Sequence, residues 1–260
     1  MKKLLALVYG VLAYAFFFCT FLYAIAFIGN VAVPKTIDTG AATALPRAVV
    51  VDAVLLSLFA LQHSIMARQG FKRAWTRLVS PHLERTTFVL AASGALALLL
   101  WQWRPIPAPV WDVRGTALGT ALAGAFWLGW GLLLLATFLI DHFELFGLRQ
   151  VWAYARGREF HGPEFKTPGL YRLVRHPIYL GFVIAFWSTP LMSMGHLMFS
   201  VMTTGYILVG ICFEERDLIA AYGQRYREYR ARVPMLIPLL KTRRGNESPR
   251  GGAKGRTTAG

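Results

Sequence analysis

Between Ile178 and Phe213 the chain runs for 36 residues without a carboxylate, a lysine or an arginine. As a single helix this stretch would reach about 54 Å at 1.5 Å rise per residue. That is nearly twice the roughly 30 Å of a bilayer's hydrocarbon core. It must therefore fold back, and Ser188-Thr189-Pro190 through Gly195-His196 is the place for the turn. Proline interrupts the hydrogen-bond ladder and glycine permits a reversal. Four further apolar stretches precede it: residues 4–33, about 48–66, 88–103 and 117–140. The third is short, but it ends in Trp101 and Trp103, as an interfacial aromatic anchor would. The reading is an all-α polytopic integral membrane protein with five to six transmembrane helices, including a C-terminal helical hairpin.

Charge placement supports the fold-back. The chain carries 28 Lys and Arg against 13 acidic residues. Only Lys35, Arg47, Arg104 and Arg114 fall in connections of one parity; the other 24 lie on the opposite side. The positive-inside rule then puts both termini in the cytoplasm, which requires an even number of crossings. At 55% apolar and 16% charged residues, with a mean hydropathy of +0.45, the chain is too apolar for a basic nucleic-acid-binding domain. Its two cysteines, Cys19 and Cys212, sit in apolar runs and build neither a disulfide framework nor a thiolate zinc site. Residues 1–240 read as one membrane domain, and residues 241–260 as a disordered basic tail. A signal peptide is the competing reading of the N-terminus, with Lys2-Lys3 before an apolar run and Ala24-Ile25-Ala26 after it. That run is longer than the usual 7–15 residues of such a segment. Gly115, Gly119 and Ala123 form a small-residue stripe that predicts a close helix contact.

Polar chemistry gathers on the cytoplasmic side of the hairpin. Folding it back brings Arg175-His176-Pro177 near Glu214-Glu215-Arg216, in a pocket that also holds tyrosines. Read from the residues alone, these are either a functional site or interfacial anchors, with Arg snorkelling, Tyr at the headgroups and Glu paired with Arg. Asp141, His142, Glu144, His63 and His161 have ligand chemistry, but they are scattered, with no HExxH and no i, i+4 histidine pair, and no metal site is expected. His63 lies within a span. It is either functional or a neutral imidazole tied to another helix through Gln62 or Ser64. Tyr226, Tyr229, Arg227, Arg230 and Arg232 predict an amphipathic helix on anionic headgroups, ended by Val233-Pro234.

The run RHPIYLG at 175–181, then EERDL at 214–218 and YGQRYREYRARVP at 222–234, resembles the isoprenylcysteine carboxyl methyltransferase and phospholipid methyltransferase superfamily of membrane enzymes. That match covers about residues 164–238, the expected cofactor-binding region. FALQHSIMAR at 59–68 and DHFELFGLRQVW at 141–152 extend the resemblance over nearly the whole chain, to the NnrU-type branch and its bacterial thiol methyltransferases. The resemblance implies S-adenosylmethionine as cofactor, bound from the cytoplasm by Tyr171, His176, Pro177, Ile178, Tyr179 and Glu214. Residues 163–166 would close over it. It leaves His176, Arg175 and Glu215 as catalytic candidates, with Arg175 able to take the cofactor carboxylate. It implies a bacterial inner-membrane location and a small thiol acceptor, methanethiol foremost, converted to dimethyl sulfide. The prenylcysteine enzymes place an Arg four residues before the first Glu of the pair. Here that position is Gly210, so a carboxylate acceptor loses its charge partner and a small neutral thiol loses nothing. A non-enzymatic NnrU-type protein and a prenylcysteine or phospholipid methyltransferase are the rival readings.

Overall fold

The computed structural model describes residues 1–160, 162 and 164–238; the expected tail at 241–260, together with His161 and Pro163, lies outside them. The structure is almost wholly helical. Among the described residues five helices are long and apolar enough to cross a membrane: α1 (Lys2–Ile28), α2 (Leu45–Ala67), α4 (Pro81–Gln102), α5 (Ala117–Ile140) and α9 (Met194–Tyr222). Shorter helices α3 (Gln69–Trp75), α6 (His142–Leu145), α7 (Leu148–Arg156) and α10 (Gln224–Arg232) gather at one end of the bundle, with a 3-10 turn at Gly169–Arg172. At the other end β1 (Pro109–Asp112) pairs antiparallel with β2 (Leu191–Ser193).

Local chemistry starts these helices. Proline stands in the first turn of α2, α4 and α8 (Pro177–Trp187), where a missing N–H costs nothing. Thr116 and Ser193 cap α5 and α9 by accepting from Gly119 N at 3.1 Å and His196 N at 3.0 Å.

The 36-residue apolar stretch does fold back, but unevenly. Its first limb, α8, has only 11 residues, about 16 Å of helix. Extended residues 188–193 complete that pass, and α9 returns over 29 residues, about 43 Å. The C-terminal end of α9 therefore projects beyond a hydrocarbon core of roughly 30 Å. Ending a helix inside a membrane strands carbonyls that water cannot reach. Here His196 Nε2 at 2.9 Å and Ser200 Oγ at 2.7 Å both donate to the Phe186 carbonyl.

Two sequence expectations are corrected. Trp101 is exposed like an anchor, but Trp103 is fully buried and its Nε1 donates to the Ile37 carbonyl at 3.0 Å, so it belongs to the core. The stripe at Gly115, Gly119 and Ala123 is not the close helix contact. A Cβ on Gly119 would meet the nearby Val113 carbonyl, within the turn that leads into α5. The close contact is instead between α5 and α8. A Cβ on Gly129 would lie 2.7 Å from Ala185 N, and one on Gly181 would lie 2.7 Å from Gly129 O.

α1 is integral to the bundle. Gly10 packs against Val151 of α7, and Tyr14 OH meets His142 Nε2 at 2.8 Å.

Candidate active site

The hairpin brings its two ends together at the end of the bundle that carries α10. Arg175 Nε donates to Glu215 Oε1 at 2.7 Å, and His176 Nε2 lies 3.2 Å from the same oxygen. A carboxylate only accepts, so the His176 proton in this contact is on Nε2. Arg230 Nη1 approaches Glu215 Oε2 at 3.6 Å. Both oxygens of this buried carboxylate are thus matched with cations. Glu214, the preceding residue, is half-exposed; its Oε2 is 3.8 Å from His176 Nδ1, and it lies beside Tyr179. His176 stands between the two glutamates.

Arg175 is held from several sides. Its Nη1 donates to the carbonyls of Val233 at 2.5 Å and Arg230 at 3.2 Å. The backbone joins in, with Arg175 N donating to Pro234 O at 2.9 Å and His176 N to Met235 O at 3.2 Å. The segment after α10 therefore returns to clamp the start of α8. Capture of a cofactor carboxylate by Arg175 would compete with these bonds. Pro177 is buried, while Ile178 and Tyr179 pack on the central apolar core.

α10 does not float on headgroups. Tyr226 and Tyr229 are buried, and Tyr229 OH donates to the Tyr171 carbonyl at 2.6 Å. Phe165 packs its ring on Tyr222, Tyr226 and Tyr229, with centroids 5.2, 5.8 and 5.5 Å away. Arg225 lies over the Phe165 ring at 5.4 Å. Periodicity hid this burial, because the covering residues come from distant segments. Burial, then nearby negative charge, pushes the phenols of Tyr171 and Tyr226 above their ordinary range. For Tyr229 burial pushes the value up to about 12. All three stay protonated at neutral pH; Tyr171 and Tyr229 donate to backbone carbonyls, while the Tyr226 hydroxyl has no partner among the described residues.

Asp141, His142 and Glu144 are occupied within the fold. Asp141 caps α6 by accepting from Glu144 N at 3.1 Å and pairs with Arg149. His142 meets Tyr14 OH through Nε2 and Thr137 Oγ1 through Nδ1, at 2.8 and 2.9 Å. Among the described residues no cluster of three or more His, Cys, Asp or Glu could hold a metal ion.

Cation-matched carboxylates and buried phenols at one end of a membrane helix hairpin define a polytopic integral membrane protein with a built polar site at that end. The comparisons give the family. The chain is 57% identical over 238 residues, 92% of its length and 98% of the relative's, to a methanethiol S-methyltransferase of Mycobacterium tuberculosis. It is 52% identical over 251 residues, 95% of its length and 96% of the relative's, to methanethiol S-methyltransferase 2 of Bradyrhizobium diazoefficiens. Human Nurim is 30% identical over 186 residues, 68% of this chain and 70% of Nurim. The family described as a protein of unknown function, DUF1295, matches residues 97–233. The chain belongs to this family and, within it, to the methanethiol S-methyltransferases. No solved structure matches it.

Proposed function

We propose that the chain S-methylates a small thiol, methanethiol, with S-adenosylmethionine as methyl donor, giving dimethyl sulfide. The observation that carries this reading is the meeting of His176, Glu214 and Glu215 at the end of the α8–α9 hairpin, in a chain 57% identical to a protein of that name.

The residues present suit the donor. Tyr226 OH is buried without a hydrogen-bond partner among the described residues, and a buried orphan donor calls for a ligand or water. Half-exposed Glu214 can accept from an ammonium or ribose hydroxyls. The faces of Tyr171, Tyr179 and Phe165 can attract a cation. When bound, S-adenosylmethionine supplies an electrophilic methyl group on a sulfonium. Tyr171, His176, Pro177, Ile178, Tyr179 and Glu214 are the residues we assign to hold it. Arg175 and Glu215 position His176: Glu215 fixes the imidazole, and Arg175 ties Glu215 to the segment after α10. The main task of such a protein is alignment, which can supply much of the rate.

A small acceptor also suits the interior. Between α2 and α9 lies an apolar cavity of about 80 Å³. A cavity of roughly 150 Å³ takes benzene, so this one has room for about two or three heavy atoms, the size of methanethiol. In this reading the site and both ends of the membrane domain face the cytoplasm of a bacterial cell.

The test is purified protein in detergent with methanethiol and S-adenosylmethionine. Headspace dimethyl sulfide, with calorimetric binding of the donor, is the expected result. Neither dimethyl sulfide nor donor binding would overturn the assignment.

A further inference from the structure

Beyond the hairpin site, a second set of polar groups lies between the cavity and Glu214. The cavity is walled by Leu56, Phe59 and Ala60 of α2 and by Met202, Thr203 and Tyr206 of α9. One turn beyond Phe59, toward the hairpin site, stands His63. It stacks on Phe59 at 5.6 Å and packs on Phe88 at 4.9 Å, with Tyr206 at 6.4 Å. The expected tie to another helix is made by Ser64, but the imidazole takes no part in it. Gln62 donates to Met66 and Ser64 to Tyr206, and His63 Nδ1 is buried with no hydrogen-bond partner among the described residues. Leaving such a group unmet costs about 1–3 kcal/mol, and ionisable groups at membrane depth mark function.

Next to His63 is Arg85, near the start of α4. Its guanidinium lies 5.2 Å from the centroid of the Phe88 ring, and Nε donates to the Leu145 carbonyl at 2.7 Å. It forms no ion pair with any described carboxylate. Its charge is felt most by Glu84 and Glu144, then by Glu214 and Tyr179, and on the other side by His63. Along α9, Tyr206, Gly210 and Glu214 follow at four-residue intervals and share a face. A Cβ on Gly210 would find no atom within 4 Å, so open space adjoins this line.

We propose that His63 is the base that removes the proton of the acceptor thiol, and that Arg85 holds the resulting thiolate at the end of the α2–α9 cavity nearest Glu214. This deepens the proposed function and rests on it. Even a cysteine thiol, with a pKa of about 8.5, is mostly protonated at neutral pH, yet the thiolate is the nucleophile. In the step, the S–H bond breaks, the proton bonds to the Nδ1 lone pair, and the electron pair stays on sulfur. A neutral thiol and a neutral imidazole become a thiolate and an imidazolium, with no net change of charge. The charged and titratable groups facing His63 are Arg85 from α4 and Tyr206 from α9, with Arg68 one turn on in the chain. Arg85 repels a protonated His63, so the proton rests there only while thiolate lies between the two cations. Deprotonation is thereby tied to occupancy by the acceptor.

The infrared S–H stretch of bound methanethiol tests this in the absence of any methyl donor, on a Cys19→Ser, Cys212→Ser background. The band should vanish on binding to protein with His63 intact and persist on binding to His63→Gln. Arg85→Gln should weaken thiol binding about tenfold. In turnover, His63→Gln should lose roughly 100-fold in kcat/KM, within the usual range for general-base removal, with donor affinity unchanged. An S–H band that survives binding to the His63 protein overturns the proposal whether or not the variants fold. So does full turnover by His63→Gln. A protein that methylates no thiol at all would instead overturn the parent reading.

Discussion

Glu214 and Glu215 sit about 100° apart on one helix, and that rotation gives them different duties. Glu215 faces inward onto Arg175, His176 and Arg230. Glu214 faces the half-open side beside Tyr179. Removing one partner of a buried pair costs about 3–5 kcal/mol, so Glu215→Ala should fall sharply in thermal stability in detergent. Glu214→Ala should melt like the parent but lose 10- to 100-fold in affinity for S-adenosylmethionine, from a charged hydrogen bond of about 1.5–3 kcal/mol. A calorimetric titration with equal affinities for the two would contradict the assignment. The pair itself was legible in the sequence; which member is buried was not, because that depends on Arg230 arriving from another helix. Gly210 carries a related expectation. Gly210→Arg would place a cation in the open space one turn before Glu214. Methanethiol turnover should fall, while 3-mercaptopropionate should gain relative to it. Steady-state kinetics that favour methanethiol in the variant would deny Gly210 a role in admitting a small neutral acceptor.

At the scale of elements, the contact that positions the site is α5 against α8. Within lipid, helices associate through close packing rather than hydrophobic burial. Gly129 and Gly181 let the two backbones touch, with Ala185 beside them. Because α8 begins at Pro177, any shift of α8 moves Arg175 and His176. Gly181→Ala should therefore cost about 1–3 kcal/mol by overpacking and should lower donor affinity as well, although position 181 lies off the polar cluster. Gly124→Ala, where a Cβ meets nothing within 4 Å, should leave both unchanged. Thermal melts and donor titrations of the two variants check this; equal behaviour would mean that the glycine contact does not set the position of α8. The sequence did carry this signal: Gly181 and Ala185 match Ala125 and Gly129 as small residues four apart. The stripe at Gly115, Gly119 and Ala123 has the same spacing, and only the fold separates them. The fold-back of the last apolar stretch was legible from its length and from Pro190. The 11-residue length of α8 was not, because Ser188 and Thr189 do not by themselves end a helix. The burial of α10 was hidden for a related reason, since Pro234 and Met235 meet Arg175 and His176 across nearly 60 residues of chain.

At the scale of the whole molecule, the bundle has two chemically different ends. Lys35, Arg47, Arg104 and Arg114 belong to the end with the β1–β2 ribbon, where Ser193 donates to Asp38 and Arg104 N donates to Asp52 Oδ1 at 2.8 Å. The remaining basic residues of the described chain gather at the end with α3, α7 and α10, which also holds the hairpin site. Five long helices and the α8 pass return the chain to the end where it started. If cation excess fixes orientation, that end is cytoplasmic, where a soluble methyl donor is available. Val110 in β1, at 44% exposure, and Leu78 after α3, at 82%, offer one accessible position at each end. Cys19 and Cys212 are both exposed and must first be replaced. In intact bacterial cells, a membrane-impermeant maleimide that passes the outer membrane should label Val110→Cys and leave Leu78→Cys untouched until the cells are lysed. The reverse pattern would place the His176–Glu215 site outside the cell, away from the proposed donor. Labelling of both positions in intact cells would mean that the charge asymmetry does not fix a single orientation.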